Sequence, residues 1–296
     1  MASQETGKAA ALTNVLNFRD VGSFVNNCNA GSAPKLKPQR LFRSARPDEA
    51  SSADKNFVAN VVGIKTIIDL RSDTEHIMAA KKHQQADKVS TPTSRDPAAG
   101  VPKIPGLKYE EINLNGKGFE RSLVWRLKYI SLARLIYNMA LGYRTEGIAI
   151  LGREVMQPRG LIGLGRDTLD YCGPEVKKVF DVLSDETAYP VLVHCTQGKD
   201  RTGITVMLAL MLCDVSIDAI SSDYVLSESE LEPEKEERMK EIRSIGLDES
   251  FARCPPDFCP QIKEYLGAKY GGVREYMAGI GVSPEQQEQI RSILLA

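Results

Sequence analysis

One stretch of the chain limits its possible folds more than any other. Pro190-Val191-Leu192-Val193 is a short apolar run, and beyond the polar residues His194 to Gly203 the segment Ile204 to Leu212 is apolar on every side. A brief apolar run closed by a polar loop reads as a strand buried on both faces. A helix with no polar face has to lie inside a domain. Just upstream, Val176, Val179, Phe180 and Leu183 recur at the spacing of one helical face. Ile64 to Leu70 is rich in β-branched residues, and Leu41-Phe42-Arg43 forms another short strand-like run. Helices alternating with buried strands predict an α/β fold: a central, mostly parallel β-sheet flanked by helices. Such sheets bind ligands beyond the carboxyl ends of their strands, so the loop after Val193 is the place to look for function.

The remaining segments arrange themselves around this unit. At 296 residues the chain suits one enlarged domain. Residues 1–13 read as a flexible tail, and 14–296 as a single catalytic domain with accessory C-terminal helices. Phe57 to Val62 suits a helix and Leu107 to Leu114 a strand. Residues 121–141 are helical in character, and 228–240 form a charge-laced helix or linker. Residues 84–106 read as a surface loop, and the glycine-rich stretch 142–166 as another. Ser283-Pro284, with Gln286 three residues after the serine, predicts a capped helix start.

Composition excludes several classes. The net charge of −1 provides no global field toward nucleic acid or an anionic membrane, so attraction for an anion must be local. The N-terminus has no apolar secretory core, and no run of 18 apolar residues occurs, which leaves the cytoplasm as the expected location with no integral membrane segment. Six cysteines are too few for a disulfide scaffold. Cys254 and Cys259 read as part of a structural loop. With three histidines and no zinc-like spacing, neither a metal nor another cofactor is expected.

The polar loop is His194-Cys195-Thr196-Gln197-Gly198-Lys199-Asp200-Arg201-Thr202-Gly203. Cys195 stands near a helix N-terminus, where the dipole and unpaired amides favour a thiolate. The loop amides can form a concave nest for a tetrahedral oxyanion. Gly198 allows the backbone to approach that anion. Arg201 carries a planar fork of donors for two of its oxygens. Thr202 is placed to give its hydroxyl to the sulfur, and His194 to shape the loop from behind. The expected contacts to a bound phosphate are Thr196, Gln197, Gly198, Lys199, Arg201 and Thr202. Cys195 is then the nucleophile of a two-step displacement through a phosphocysteine. Lys199 reads either as a solvated loop lysine or as a contact to a second phosphate. Cys172 and Cys213 read as buried thiols, with a reversible disulfide to Cys195 as the alternative.

This loop resembles the His-Cys-(five residues)-Arg-Ser/Thr signature of the cysteine phosphatase superfamily. Its Gly-Lys-Asp-Arg-Thr-Gly form is similar to that of the atypical tyrosine-phosphatase family of bacteria and fungi. Asn17-Phe18-Arg19-Asp20-Val21-Gly22, Leu41-Phe42-Arg43-Ser44, Asp69-Leu70-Arg71-Ser72, Asp223-Tyr224-Val225-Leu226-Ser227 and Tyr270-Gly271-Gly272 resemble further motifs of that family in the same order. The resemblance runs from about residue 14 to the end and is poor over 84–166.

It implies a phosphatase-like fold with a helical lid or cap, for which 119–141 and 228–262 are the two candidates. It also implies a phosphomonoesterase acting on protein phosphotyrosine, with dual specificity as an extension. A phosphoinositide, inositol phosphate or other small-molecule phosphatase is the alternative on the same scaffold. A phosphate-binding pseudoenzyme and an arsenate reductase or sulfur transferase are the remaining readings. The leaving alkoxide needs a proton from a carboxylic acid. The resemblance favours Asp200, with Asp69 next and Asp167 or Asp170 after it. Arg19, Arg43 and Arg71 are expected to be structural ion-pair partners.

Overall fold

The computed structural model describes residues 12–28, 35–87 and 100–296. Residues 1–11 of the expected tail and 88–99 of the expected surface loop lie outside the described residues. Among the described residues five strands make one sheet: β1 (Arg19–Asp20), β2 (Leu41–Ser44), β3 (Thr66–Asp69), β4 (Lys108–Glu111) and β5 (Val191–His194). Their order is β1-β2-β5-β3-β4, with β1 antiparallel to β2 and every other pairing parallel. The predicted mostly parallel α/β sheet is therefore present, with the strand that feeds the polar loop at its centre.

Burial follows the side-chain alternation of a pleated strand. Leu41, Ile68, Val191 and Val193 join the large core cluster on one face. Phe42, Ile67 and Leu192 join Val58, Ile64 and Ile104 on the other. Each fully buried Val, Leu or Ile contributes about 1.5–3 kcal/mol relative to exposure. The edge strand β4 reads Lys-Tyr-Glu-Glu and carries its charges where an unpaired edge needs them.

The helices are α1 (Val21–Cys28), α2 (Ser52–Asn56), α3 (Asp73–Asp87), α4 (Lys117–Val124), α5 (Tyr129–Ala140), α6 (Arg144–Leu151), α7 (Gln157–Tyr171), α8 (Gly173–Leu183), α9 (Asp200–Leu212), α10 (Ile217–Glu230), α11 (Lys235–Ser244), α12 (Phe258–Tyr270), α13 (Val273–Gly279) and α14 (Pro284–Leu294). α9 is buried from Thr202 through Leu212, as its all-round apolar sequence demands. Ser283 and Gln286 close the expected capping box at the start of α14.

Two segments differ from expectation. The stretch 142–166 is not a loop: α6, a wider helical turn over Gly152–Met156 and α7 occupy most of it, with a break at Gly160. Residues 84–87, assigned to a surface loop, extend α3 instead.

The parallel register positions the site. Ser44, His194 and Asp69 are direct neighbours at the carboxyl ends of β2, β5 and β3. The segments beginning at Ala45, Cys195 and Leu70 therefore leave the sheet side by side.

Candidate active site

The loop between β5 and α9 is held from outside by its carbonyl groups. His194 Nδ1 lies 3.0 Å from the Cys195 carbonyl. The Arg46 amide donates to the Thr196 carbonyl at 3.1 Å. Asn17 Nδ2 donates to the Gln197 carbonyl at 3.1 Å and to that of Gly198 at 3.0 Å. Arg43 Nη2 donates to the Gly198 carbonyl at 2.6 Å and more weakly to that of Lys199 at 3.4 Å. In a planar trans peptide the N–H points opposite to the C=O. Pinning successive carbonyls outward therefore turns the following amides toward the concave side, which is how a backbone nest for an anion is made.

Gly198 adopts φ 64, and a Cβ there would overlap the Ser44 carbonyl. Only glycine fits that corner. Asn17 also has a positive φ, of 56, which asparagine tolerates better than most residues.

Arg43 and Arg19 share one counter-ion. Arg19 Nε lies 2.7 Å from Asp223 Oδ1, and Arg43 pairs with the other oxygen of the same carboxylate. Burial pushes the Asp223 carboxyl up, and the two arginines reverse that and hold it below the usual range. Arg71 occupies a second buried cluster, with Asp69 at 2.7 Å and Asp48 at 2.5 Å. All three arginines are thus ion-pair partners.

Cys195 begins the loop and is 3% exposed. Arg201 lies in the first turn of α9 and is gripped by Glu75, with Nη1 2.6 Å from Oε2 and Nη2 2.5 Å from Oε1. The same carboxylate accepts from the Thr196 hydroxyl, and from the Ser72 amide and hydroxyl at 2.9 and 2.8 Å. Burial pushes the Glu75 carboxyl up, but the charge and hydrogen bonds of Arg201, with those of Thr196 and Ser72, hold it far below the ordinary carboxylate range. Thr202 is fully buried, and its hydroxyl has no hydrogen-bond partner among the described residues. Gln197 Oε1 is likewise buried and unpartnered.

The carboxylate candidates separate by environment. Asp200 is the first residue of α9, with a side chain 39% exposed. One of its oxygens lies 3.0 Å from Lys199 Nζ and 3.4 Å from the Tyr224 hydroxyl. Asp69 is buried beneath the loop, and its carboxylate accepts from Arg71 and His76, with His194 Nε2 at 3.6 Å. Burial pushes the Asp69 carboxyl up, and these surrounding cationic and donor groups bring it well below its ordinary value. Burial, with the nearby Arg71 charge, pushes the His194 imidazole down toward its neutral form, against the opposing pull of Asp69. Asp167 is buried between Arg126 at 3.0 Å and Arg159 at 2.5 Å. Asp170 accepts from Tyr265, Tyr270 and Lys269. Among the described residues, neither Asp167 nor Asp170 pairs with the loop or with Arg201.

Lys199 departs from both of its expected readings. Its side chain is completely buried and points away from the cradle, where Nζ donates to the Phe251 carbonyl at 3.1 Å and the Arg253 carbonyl at 2.8 Å. It is neither solvated nor available for a second phosphate.

A family model described as the tyrosine phosphatase family matches residues 10–296. The chain belongs to the tyrosine phosphatase family. The triple specificity protein phosphatase PtpB of Mycobacterium tuberculosis is 30% identical to this tyrosine phosphatase over 304 residues, covering 94% of this chain and 96% of that protein. A tyrosine-protein phosphatase of Nostoc commune is 28% identical over 168 residues, 49% of this chain and 55% of that protein. The similarity to the Nostoc protein therefore spans about half of each chain, while that to PtpB spans nearly all of both. A cysteine-dependent phosphatase, the class expected from the loop, is the class these matches support.

Two working parts of the phosphatase escape a reading of the loop motif alone. Asn17 lies in a segment that carries a family resemblance and no chemical motif, yet its side chain pins two loop carbonyls. Glu75 lies outside the loop motif, although Ser72-Asp73-Thr74-Glu75 has the form of a capping box. That signal marks the start of α3 and leaves a carboxylate at a fixed place beside β3. Among the described residues, no helix is long and apolar enough to cross a membrane.

Proposed function

We propose that this phosphatase hydrolyses phosphomonoesters of protein tyrosine side chains through a phosphocysteine on Cys195, with serine and threonine esters as further substrates. The observation that carries the reading is the run of loop carbonyls pinned outward from Cys195 to Lys199, with Arg201 fixed by Glu75 at the end of the same loop. Donors set before the reaction stabilise developing charge without reorganising during it. Cys195 Sγ attacks phosphorus in line while Arg201 and the inward amides bind the equatorial oxygens. The phosphorus–oxygen bond breaks, and the leaving phenolate of tyrosine, or the alkoxide of serine or threonine, takes a proton from Asp200. Water then cleaves the phosphocysteine, with Asp200 as base. The unpartnered Thr202 hydroxyl supplies a hydrogen bond to the sulfur as it leaves.

Asp200 is preferred over Asp69 because it is part-exposed in the loop itself, whereas Asp69 is enclosed by Arg71 and His76. Asp69 then acts by holding the floor of the loop. The direction of Lys199 removes the residue on which a second-phosphate contact rested, which favours a single-phosphate substrate over an inositol phosphate. The name of PtpB, triple specificity, supports a broad range of hydroxyl leaving groups. A cap that closes over the loop would exclude water from the reacting phosphate. Glu241, in the expected cap at 228–262, lies 3.1 Å from Arg46, whose amide holds the Thr196 carbonyl. All six cysteines are free thiols, which fits a reducing, cytoplasmic setting. Residues 14–296 act as one catalytic unit.

The test is hydrolysis of para-nitrophenyl phosphate in the presence of a chelator, followed by a panel of phosphotyrosine, phosphoserine and phosphoinositide substrates. Turnover is expected for the wild type and a complete loss for Cys195→Ser. Rapid quenching should trap phosphate on the cysteine. Asp200→Asn should slow phenyl phosphate by about 10²-fold or more, with a smaller loss for para-nitrophenyl phosphate, whose leaving group needs less protonation. Equal losses on both substrates would remove Asp200 as the acid.

A further inference from the structure

We infer that the outer face of α5, with its flanks in α4 and the turn before α6, is a docking surface for an anionic lipid bilayer. The first observation is an inverted helix. In α5 the buried positions are Ser131 and Leu135, whereas Tyr129, Ile130, Ile136 and Tyr137 are 92%, 78%, 60% and 65% exposed. At about 100° per residue, these four side chains fall within an arc of about 120°. The face turned to solvent is thus more apolar than parts of the face turned inward, the reverse of an ordinary surface helix. Trp125, the chain's one tryptophan, is 81% exposed at the end of α4, and Leu141 and Tyr143 extend the same strip. Most of the large apolar side chains exposed among the described residues lie in this short segment. An apolar patch of this continuity marks an interaction site.

The second observation decides the occupant. Between residues 117 and 144 stand Lys117, Arg121, Arg126, Lys128, Arg134 and Arg144, against a single carboxylate, Glu120. The segment is therefore +5 in a chain of net −1. Lys117, Arg121, Lys128 and Arg134 make no ion pair among the described residues. Arg134 stands at the edge of the apolar arc.

Aromatic and aliphatic side chains with unpaired cations beside them have the composition of a helix lying in the plane of a bilayer. Trp and Tyr settle at headgroup depth, and the cations meet acidic headgroups. A second copy of the chain fits poorly. A two-fold interface sets a patch against itself, which here would bring two +5 strips together.

The surface adjoins the catalytic machinery. Arg144 Nε donates to the Thr74 hydroxyl at 2.9 Å, and Thr74 directly precedes the Glu75 that grips Arg201. Docking would hold the active site next to the membrane plane.

The full chain should float with phosphatidylcholine vesicles that contain phosphatidylserine, and much less with phosphatidylcholine alone. Raising the salt should weaken the binding. The triple variant Trp125→Ser, Tyr129→Ser, Ile130→Ser should lower the partition coefficient by roughly 100-fold. Arg121→Gln, Lys128→Gln and Arg134→Gln should each lower it about fivefold. Turnover of para-nitrophenyl phosphate should be unchanged in all of them, which shows that they fold. The vesicles contain no phosphorylated inositol headgroup, so binding reports the surface and not the active site. Wild-type binding that is absent, or equal in the triple variant, would overturn the inference. So would an equilibrium sedimentation result in which the wild type is a dimer and the triple variant a monomer, because a second copy would then be the occupant.

Discussion

Replacing Glu75 with alanine tests the idea that the phosphate clamp is set in advance. Arg201 donates to both Glu75 oxygens, at 2.6 and 2.5 Å, and Thr196 donates to the same carboxylate. A hydrogen bond to a charged group contributes about 1.5–3 kcal/mol. The pair is not fully enclosed: the Arg201 and Glu75 side chains are 17% and 24% exposed. Water therefore screens part of that interaction, and roughly 2–3 kcal/mol is a discounted value for the whole grip. Losing it frees Arg201 to sample positions away from the phosphate. Since each 1.4 kcal/mol is a factor of ten, kcat/KM should fall about 30- to 150-fold. The assay is steady-state turnover of para-nitrophenyl phosphate, with urea unfolding run in parallel. Glu75→Gln keeps one acceptor for Arg201 and should recover part of the loss. A folded Glu75→Ala enzyme with wild-type kcat/KM would show that Arg201 is oriented by something else, and the preset clamp would be wrong.

Three other changes have defined outcomes. Gly198→Ala forces a Cβ against the Ser44 carbonyl at a positive φ and should cost about 10²-fold or more in kcat/KM, while urea titration still shows a folded chain. Lys199→Met leaves the Phe251 and Arg253 carbonyls without their donor and should destabilise the fold by about 1–3 kcal/mol, with inhibition by inorganic phosphate unchanged because Nζ faces away from the cradle. Stability should also fall with acidification. Burial lowers the His194 imidazole below its ordinary 6.5, so as pH drops through that value the unfolded chain takes a proton that the folded chain refuses. The depressed carboxyls of Glu75, Asp69 and Asp223 act in the same direction at lower pH. The urea midpoint should therefore decline from about pH 7 to about pH 5 and more steeply below; a flat midpoint across that range would contradict the buried, neutral His194.

The sheet, its buried central strand and the helix behind the loop were readable because each leaves a local pattern. Val191-Leu192-Val193 and Ile204 to Leu212 carry period and burial in a few residues, and Ser283 with Gln286 announces a cap. The segment 142–166 misleads for a physical reason. Its six glycines lower intrinsic helix propensity by about 1 kcal/mol each, yet some serve tight packing. Gly152 allows the Ile245 carbonyl to approach, and Gly165 faces Ile262 and Phe258. Tertiary contact outweighs propensity there, and single-residue preferences do not contain it. The same holds at the site. Cys195 and Arg201 are legible because their spacing is local, whereas Glu75 meets Arg201 across 126 residues and Asn17 meets Gly198 across 181. The side-chain direction of Lys199 depends on carbonyls at 251 and 253, which no neighbour in sequence specifies.

The web of Arg19, Arg43 and Asp223 has a consequence for the order in which the protein acquires activity during synthesis. Arg43 pins the Gly198 carbonyl while its charge is balanced by Asp223 on α10. A ribosome that has released β5 and the whole polar loop, but not yet α10, exposes a chain in which Arg43 lacks its counter-ion. A buried arginine without that partner is strongly disfavoured, so the cradle stays unformed while the nucleophile is already present. Competence therefore cannot precede the emergence of Asp223, and the half-made protein carries its thiol without the geometry that would let it act on phosphate.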